Sequence, residues 1–417
     1  MVTKLAAAAF KGLRQFTIEP KNLNLLIGAN GTGKTNFADL IEFLSVLSRF
    51  GLREAIEKFD GLDEIRTKMP GSGKRPVFSV AIELGPDVSR GIKMVKYSFK
   101  LAPRKTIAVD EEELDAVLFT RSRGRPTPPA KVVFNEDKLI RLGFRRKRKN
   151  LEYWESNFVE TPESFGDEQE LILSAYGKLG DFRTISEYIG SMKVYNIDSM
   201  LAKSASNGND SELERFGTNL IAFVKRVIEN RKMSERLLRD LRYAVPYIKG
   251  IAPERVLSHT TLKFSERDSK LNLRAKQMSD GTIRLLGLLS VLRQPVPPPV
   301  VVVEEPENAL HSHAVRMFVR VVKEVSTSRK FPIQVFLTTH SPSVLDDVLK
   351  IETTREVATQ GFVAKRKDGA ATIEAAPEKV LQGIAENLGR PSDFLLEGSF
   401  EDGPQQLEFL DKLGMPL

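Results

Sequence analysis

The stretch Gly28-Ala29-Asn30-Gly31-Thr32-Gly33-Lys34-Thr35 constrains this chain more than any other, because it fits Gly-x-x-x-x-Gly-Lys-[Ser/Thr]. That pattern has meaning only between a strand and a helix. Leu23–Ile27 is a mostly apolar run suited to a buried strand, and Phe37, Leu40, Ile41, Leu44 and Leu47 recur at helical spacing as far as Gly51. Glycines at 28, 31 and 33 let the backbone turn its N–H groups inward, and the helix start adds its positive end. The pattern therefore predicts a triphosphate-binding loop lined by Asn30, Gly31, Thr32, Gly33, Lys34, Thr35 and Asn36. Lys34 would reach the β- and γ-phosphates, and Thr35 would hold magnesium through its hydroxyl.

Composition narrows the setting. The 417 residues suffice for two or three domains, and the apolar content for a sizeable core. No cysteine is present, so disulfides, thiolate nucleophiles and Cys-ligated zinc are excluded. No apolar run approaches a membrane span, and Leu5 to Phe10 is too short for a signal-peptide core, so a cytoplasmic protein without membrane contact is expected. The net charge of +8 is unevenly spread: Arg121 to Lys149 holds eleven Lys or Arg against Glu136 and Asp137. Arg145-Arg146-Lys147-Arg148-Lys149 closes this region and reads either as a solvated hairpin tip or as a contact for a phosphate backbone.

In chain order, Lys4–Phe10 and Phe16–Ile18 read as strands ahead of the loop. Val77–Leu84 and Val95–Leu101, separated by Gly85-Pro86, read as a meander, and Lys131–Phe134 as a further strand. From Asp167 to Val245 the spacing turns helical, with Leu171, Ile172 and Ala175 on one face and Leu220, Phe223, Val224 and Val227 on another. Ser204 to Asp210 reads as a loop, and no sustained heptad pattern supports a coiled-coil arm. Expected boundaries are 1–165 for an N-terminal lobe, 166–250 for a helical insertion and 251–417 for a C-terminal lobe.

Three further motifs follow in order. Ser279, before Asp280 and Gly281, is a candidate cap for a helix from Thr282 to Leu292, whose amino end would be a second anion site; a plain capping serine is the alternative. Val300-Val301-Val302-Val303 suits a strand buried on both faces, ending in Glu304-Glu305 where α/β sheets place ligands. Glu304 would then support magnesium and Glu305 would polarise an attacking water; solvated acids in a turn are the alternative. Phe336-Leu337-Thr338-Thr339 reads as a strand ending at His340, one of four histidines, with either a functional or a buried structural role.

This ordered set resembles the ABC-type ATPase heads of the RecF, SMC and OLD group, most closely the short single-chain AAA-family ATPases found beside nucleases in bacterial defence loci. Gly28–Thr35 matches the Walker A loop, Ser279-Asp280-Gly281 the signature, Val300–Glu305 Walker B, Asn308-Ala309-Leu310-His311 the D-loop and His340 the switch histidine. Arg215-Phe216-Gly217-Thr218-Asn219-Leu220 is similar to a segment of the family's helical insertion. The resemblance implies an α/β P-loop NTPase fold, an ABC-type head with an antiparallel β meander and a helical insertion lobe. It also implies ATP and Mg2+ as cofactors and a head-to-tail homodimer, with higher oligomers open, in which Ser279 of one chain meets ATP on the other. Lys34, Glu305 and His340 would carry hydrolysis.

The implied role is a nucleotide-gated switch on double-stranded DNA or on a separate effector nuclease, in anti-phage defence. A RecF-like repair ATPase and a scaffold holding a toxin inactive are the alternatives. No Asp-x-Asp pair occurs, so a nuclease half of the Toprim kind is not expected in this chain. The chain departs from the family at Glu304, where Asp is usual, at Asp280, and in having no glutamine between Gln15 and Gln169, where a Q-loop ligand is expected. Asp63 or Glu64 could substitute, and slow turnover without a partner is expected.

Overall fold

The computed structural model describes residues 1–67, 76–87, 90–121, 134–147, 150–154, 169–177, 182–204, 212–267, 272–328, 332–350, 357–367 and 369–377. The chain divides into two compact units interleaved in sequence: 1–21, 28–193 and 362–375 build the first, and 22–27 with 194–361 build most of the second. The chain thus passes from the second unit to the first at Gly28, where the glycine-rich loop begins.

In the first unit, β1 (Val2–Phe10) and β2 (Leu13–Ile18) pair as a hairpin, and β3 (Leu23–Ile27) leads away into the second unit. Next come β4 (Ser79–Leu84), β5 (Ile92–Leu101), β6 (Val109–Arg121), β7 (Phe134–Lys147) and β8 (Asn150–Trp154), an antiparallel meander with β4 against β1. β15 (Thr359–Lys367) and β16 (Ala370–Ala375) return late in the chain, β16 lying parallel to β2. β4 and β5 alternate buried and solvent-facing residues, as a sheet covered on one face requires.

The cover is α1 (Lys34–Phe50), with the short α2 (Leu52–Lys58) and α3 (Leu62–Ile65) after it. Phe10 lies 5.7 Å from Phe43 and 5.4 Å from Phe78 between ring centroids, and Phe43 lies 6.0 Å from Phe59, so the sheet and these helices share one aromatic core. α4 (Ile172–Tyr176) and α5 (Phe182–Gly190) pack outside α1, where Ser48 Oγ donates to Ser186 O at 2.9 Å and Ser45 Oγ to Gly190 O at 2.7 Å. A Cβ at Gly190 would stand 2.7 Å from Arg49 Cγ, so the helices close to this distance only with glycine there.

In the second unit β3 lies parallel to β14 (Gln334–Thr339), and β14 parallel to β13 (Val300–Glu304), with β9 (Lys193–Tyr195) beyond β13. All three central strands are buried along their length, which explains their mostly apolar sequence. α6 (Ser199–Ala202), α7 (Leu220–Glu229) and α8 (Arg231–Ala244) follow, then a small antiparallel sheet of β10 (Ile248–Val256), β11 (His259–Glu266) and β12 (Asn272–Arg274). α9 (Asp280–Arg293), α10 (Ser312–Ser326) and α11 (Pro342–Lys350) complete it. Leu220, Phe223, Val224 and Val227 are buried on one face of α7, as their spacing predicts. Arg293 ties α9 to its neighbours: Nε donates to Asp240 Oδ2 on α8 at 2.6 Å and Nη2 to Glu324 Oε2 on α10 at 2.7 Å. The expected loop beyond Ser204 and residues 378–417 lie outside the described residues.

Candidate active site

The glycine-rich loop is shaped by two residues in the left-handed region, Gly31 at φ +79° and Gly33 at φ +100°. Gly28 and Gly33 also pack closely against the sheet: a Cβ at Gly28 would stand 2.6 Å from Ala364 O, and one at Gly33 2.8 Å from Ala371 Cβ. α1 starts at Lys34 with no side-chain cap, so its first-turn N–H groups are directed to the loop without a competing side chain. Lys34 is buried, and its Nζ donates to Gly28 O at 2.7 Å and Ala29 O at 2.9 Å. Thr32 Oγ1 closes the turn onto Ala29 O at 2.8 Å. Asn30 and Thr35 are exposed, whereas the amide of Asn36 lies close to Gly12. An anion cradle with a cation at its floor and a free hydroxyl at its lip fits a triphosphate.

The second unit gathers the acids. Glu304 ends β13, is buried, and accepts from Arg215 Nη2 through Oε1. Glu305 sits at φ +44°, an uncommon backbone for glutamate, held there by Glu305 N donating to Thr338 O at 3.0 Å and Asn308 N donating to Glu305 O at 3.0 Å. Both of its carboxylate oxygens are engaged: Asn308 Nδ2 donates to Oε2 at 2.8 Å, and His340 Nδ1 lies 3.3 Å from Oε1. His340 follows the end of β14, where Thr339 Oγ1 donates to Glu307 Oε1 at 2.6 Å and Ser341 N donates to Thr339 Oγ1 at 2.9 Å. Glu307 Oε1 is 3.9 Å from His340 Nδ1, so two carboxylates face one imidazole nitrogen.

Arg284, on α9, reaches under this turn. Its Nη2 donates to Glu304 O at 3.1 Å and Glu305 O at 2.9 Å, and Nη1 donates to Ile197 O. Burial pushes its pKa down, against the pull of Glu307, Glu305, Asp198 and Glu304. Sequence reading placed Arg215 in a segment similar to the family's helical insertion but gave neither Arg215 nor Arg284 a role, since a lone arginine carries no local pattern; the expectation for Glu304 accounts for neither.

The signature segment is built as its sequence suggests. Ser279 Oγ accepts from Thr282 N at 3.2 Å and caps α9, while Ser279 and Asp280 stay exposed. Lys203 Nζ stands 2.5 Å from Asp280 Oδ1 and holds that carboxyl below its usual range. The negative charge of Asp280 is thereby countered within the unit. A Cβ at Gly281 would collide with Ala309 O, so glycine lets the signature and the D-loop touch.

The basic run, read from sequence either as a solvated hairpin tip or as a phosphate-backbone contact, lies in its described part on a strand whose cations meet acids. Arg145 and Lys147 sit on β7 and face acids of β6, Arg145 Nη2 standing 2.5 Å from Glu113 and Lys147 Nζ 3.7 Å from Glu111; Arg141 likewise pairs with Asp115 at 3.1 Å. Arg146 points inward, 5% exposed, against Glu112 at 3.1 Å, and cannot contact a nucleic-acid backbone. Four of the cations in this run, Arg141, Arg145, Arg146 and Lys147, are thus met across the sheet by Asp115, Glu113, Glu112 and Glu111. Arg148 and Lys149 lie outside the described residues. A different basic surface exists on α8, where Lys232, Arg236, Arg239 and Tyr243 recur along one exposed stripe. Arg320 covers the Tyr243 ring at 6.0 Å, and His313 stacks on that ring at 5.0 Å.

Among the described residues no group of three or more His, Cys, Asp or Glu could hold a metal, and no helix is long and apolar enough to cross a membrane. The hydroxyl of Thr35 and the carboxylate of Glu304 are each a hard oxygen donor of the kind magnesium takes.

Comparison with known proteins adds family and fold. Residues 23–346 match the model of the family described as "AAA domain, putative AbiEii toxin, Type IV TA system". Among solved structures, the chain is similar to an SMC head bound to the C-terminal winged-helix domain of ScpA (TM-score 0.52, 15% identity, 91% of this chain and 99% of that one covered). It is also similar to an Smc head with an extended coiled coil bound to the C-terminal domain of ScpA derived from Pyrococcus furiosus (TM-score 0.50, 13% identity, 93% and 99% covered). At these identities the likeness shows the fold alone. No curated protein matches the sequence.

Proposed function

Because the chain belongs to the AAA-domain family matched over residues 23–346 and has the fold of an SMC-type ATPase head, we propose that it binds and slowly hydrolyses ATP, and that ATP closes two copies head to tail. The observation that carries this reading is Glu305, a carboxylate held by Asn308 on one oxygen and His340 on the other, on a left-handed backbone at the end of a buried strand. A carboxylate so fixed is set to accept a proton from water with little reorganisation. The loop N–H groups and Lys34 bind the triphosphate, Asn30 to Asn36 lining it. His340, with Nδ1 committed to Glu305, has Nε2 left to meet the terminal phosphate. Thr35 and Glu304 would hold Mg2+, which neutralises phosphate charge when bound. Ser279 and Asp280, exposed at the amino end of α9, with Gly281 beside them, offer a second anion site to the partner copy. The nucleotide then becomes part of an interface that hydrolysis weakens.

Such a clamp serves as a nucleotide-gated switch on DNA or on an effector nuclease, in anti-phage defence. A second reading, an ATPase that holds or belongs to a toxin, is favoured by the toxin–antitoxin wording of the family description. Salt-sensitive binding of duplex DNA supports the first; its absence at low salt supports the second.

The test of the clamp is solution mass. Glu305→Gln with Mg2+ and ATP should become a dimer, remain smaller without nucleotide, and fail to dimerise when Lys34→Ala is added. A mass indifferent to ATP would refute the closure.

A further inference from the structure

The Arg215–Glu304 pair is a built feature. Both side chains are largely buried, 14% and 4% exposed, and they sit on elements far apart in sequence. Arg215 rides on a turn pinned from several sides: Asn196 N donates to Arg215 O at 2.8 Å, and Asp198 N to Phe216 O at 3.0 Å. Gly217 takes φ +75°, Asn219 Oδ1 accepts from Glu214 N at 3.0 Å, and the guanidinium lies 5.5 Å from the Phe216 ring centroid. The turn therefore presents Arg215 to one carboxylate instead of leaving it to search. Arg284 meanwhile holds the Glu304 carbonyl, fixing the backbone from which that carboxylate projects.

Glu304 ends β13, and its carboxylate reaches the Arg215 guanidinium. A single carboxylate cannot give its full charge to two cations, so Arg215 and magnesium compete for Glu304.

We propose that Arg215 is a positioning residue that restrains Glu304 from the metal, so that ATP binding depends less on magnesium than the bare carboxylate would make it. The proposal rests on the reading of Glu304 as the metal-side acid. It requires two opposite effects on ATP affinity when Arg215 is removed, both of which raise the dependence on magnesium. Without metal, a buried Glu304 that has lost this guanidinium repels the triphosphate more strongly and weakens binding. With metal, the freed carboxylate joins the magnesium shell and strengthens it.

The measurement is calorimetric titration of ATP into the full chain carrying Glu305→Gln, which removes turnover, in Mg2+ and in EDTA. The quantity read is the ratio of the metal-free to the metal-bound Kd. Arg215→Gln should raise that ratio about tenfold, the lower end of what coupling between close charge pairs supports. In a Glu304→Gln background the same substitution should leave the ratio unchanged. If Arg215 only braces its turn, both Kd values move together and the ratio stays fixed, which overturns the proposal. Should Arg215→Gln fail to fold, Glu304→Asp draws the acid back from the guanidinium and must raise the ratio; an unchanged ratio there overturns it equally. If Glu304→Gln does not change the ratio in the wild-type Arg215 background, Glu304 is not the metal-side acid, and both the proposal and that part of the active-site reading fall. ATP binding that survives Lys34→Ala would by contrast sink the loop assignment.

Discussion

Replacing Arg146 by Met separates structural charge from contact charge in the basic strand. Arg146 Nη2 stands 3.1 Å from Glu112 Oε2 and donates to Glu170 O at 2.6 Å. Met keeps the volume of the stem and removes the cation, leaving Glu112 with Tyr97 OH at 3.0 Å, Ile172 N at 2.8 Å and Leu173 N at 3.1 Å. Breaking a buried pair from one side costs about 3–5 kcal/mol, and the lost bond to Glu170 about 1 kcal/mol more. The three surviving donors offset part of this, so about 3 kcal/mol is expected at neutral pH. Trp154, the one tryptophan of the chain, lies on β8 opposite Gly143 of β7 and reports unfolding of this unit by its fluorescence. At a slope of about 2 kcal/mol per molar urea the midpoint should fall by about 1.5 M. Burial already pushes the Glu112 carboxyl up, and removing Arg146 raises it further. An acid whose folded pKa is raised gives stability that is present below its unfolded value, 4.5, and lost as pH rises toward the folded one. The deficit of the variant should therefore shrink toward pH 4.5 and widen toward neutrality. Arg145→Met, which removes only an exposed partner of Glu113, should leave the midpoint where it was. Equal midpoints for the two variants, or a deficit independent of pH, would refute the reasoning.

Gly281→Ala should abolish ATP-dependent dimerisation while the loop still binds ATP, because its Cβ would drive the D-loop backbone away at Ala309; intact dimers by light scattering would contradict this. Ser279→Ala removes the cap of α9 and should lower stability by about 1 kcal/mol in urea titration, with Ser279→Asn restoring most of it. Lys203→Met frees Asp280, whose carboxyl lies below its ordinary 3.8 because of that lysine; the pair's contribution is present above 3.8 and lost as pH falls through the lowered value. The gap in melting temperature between Lys203→Met and wild type should therefore hold steady at neutral pH and close only in strong acid. Neutralising Lys232, Arg236 and Arg239 together should weaken any duplex binding at low salt more than neutralising Arg145 and Lys147, as fluorescence anisotropy would read.

The elements most legible in the sequence are those whose signal is local. Leu23–Ile27, the loop at 28–33 and α1 emerge as expected because strand, turn chemistry and helical spacing are each written within a few residues. The cap at Ser279 and the four valines of β13 are of the same kind. β6 gave no such signal. Asp110-Glu111-Glu112-Glu113-Leu114-Asp115 has no apolar alternation, because Glu112 occupies an inward position that an apolar residue would normally fill, and its partner Arg146 is a strand away. The sheet of β10, β11 and β12 also went unread, its strands mixing charged and apolar residues without a clear period.

By itself the sequence determined the chemical vocabulary of the protein: a phosphate loop, two acids ending a buried strand, a capped helix and a histidine, in an order matching one family. Tertiary structure decided what each charge is for. Arg146 became a structural ion, Lys203 the counter-charge of Asp280, and Arg215 the neighbour of Glu304. The physical reason is range. Backbone turns and periodicity depend on residues next to one another, whereas the energy of a charge depends on burial and on partners that only folding brings within a few ångströms.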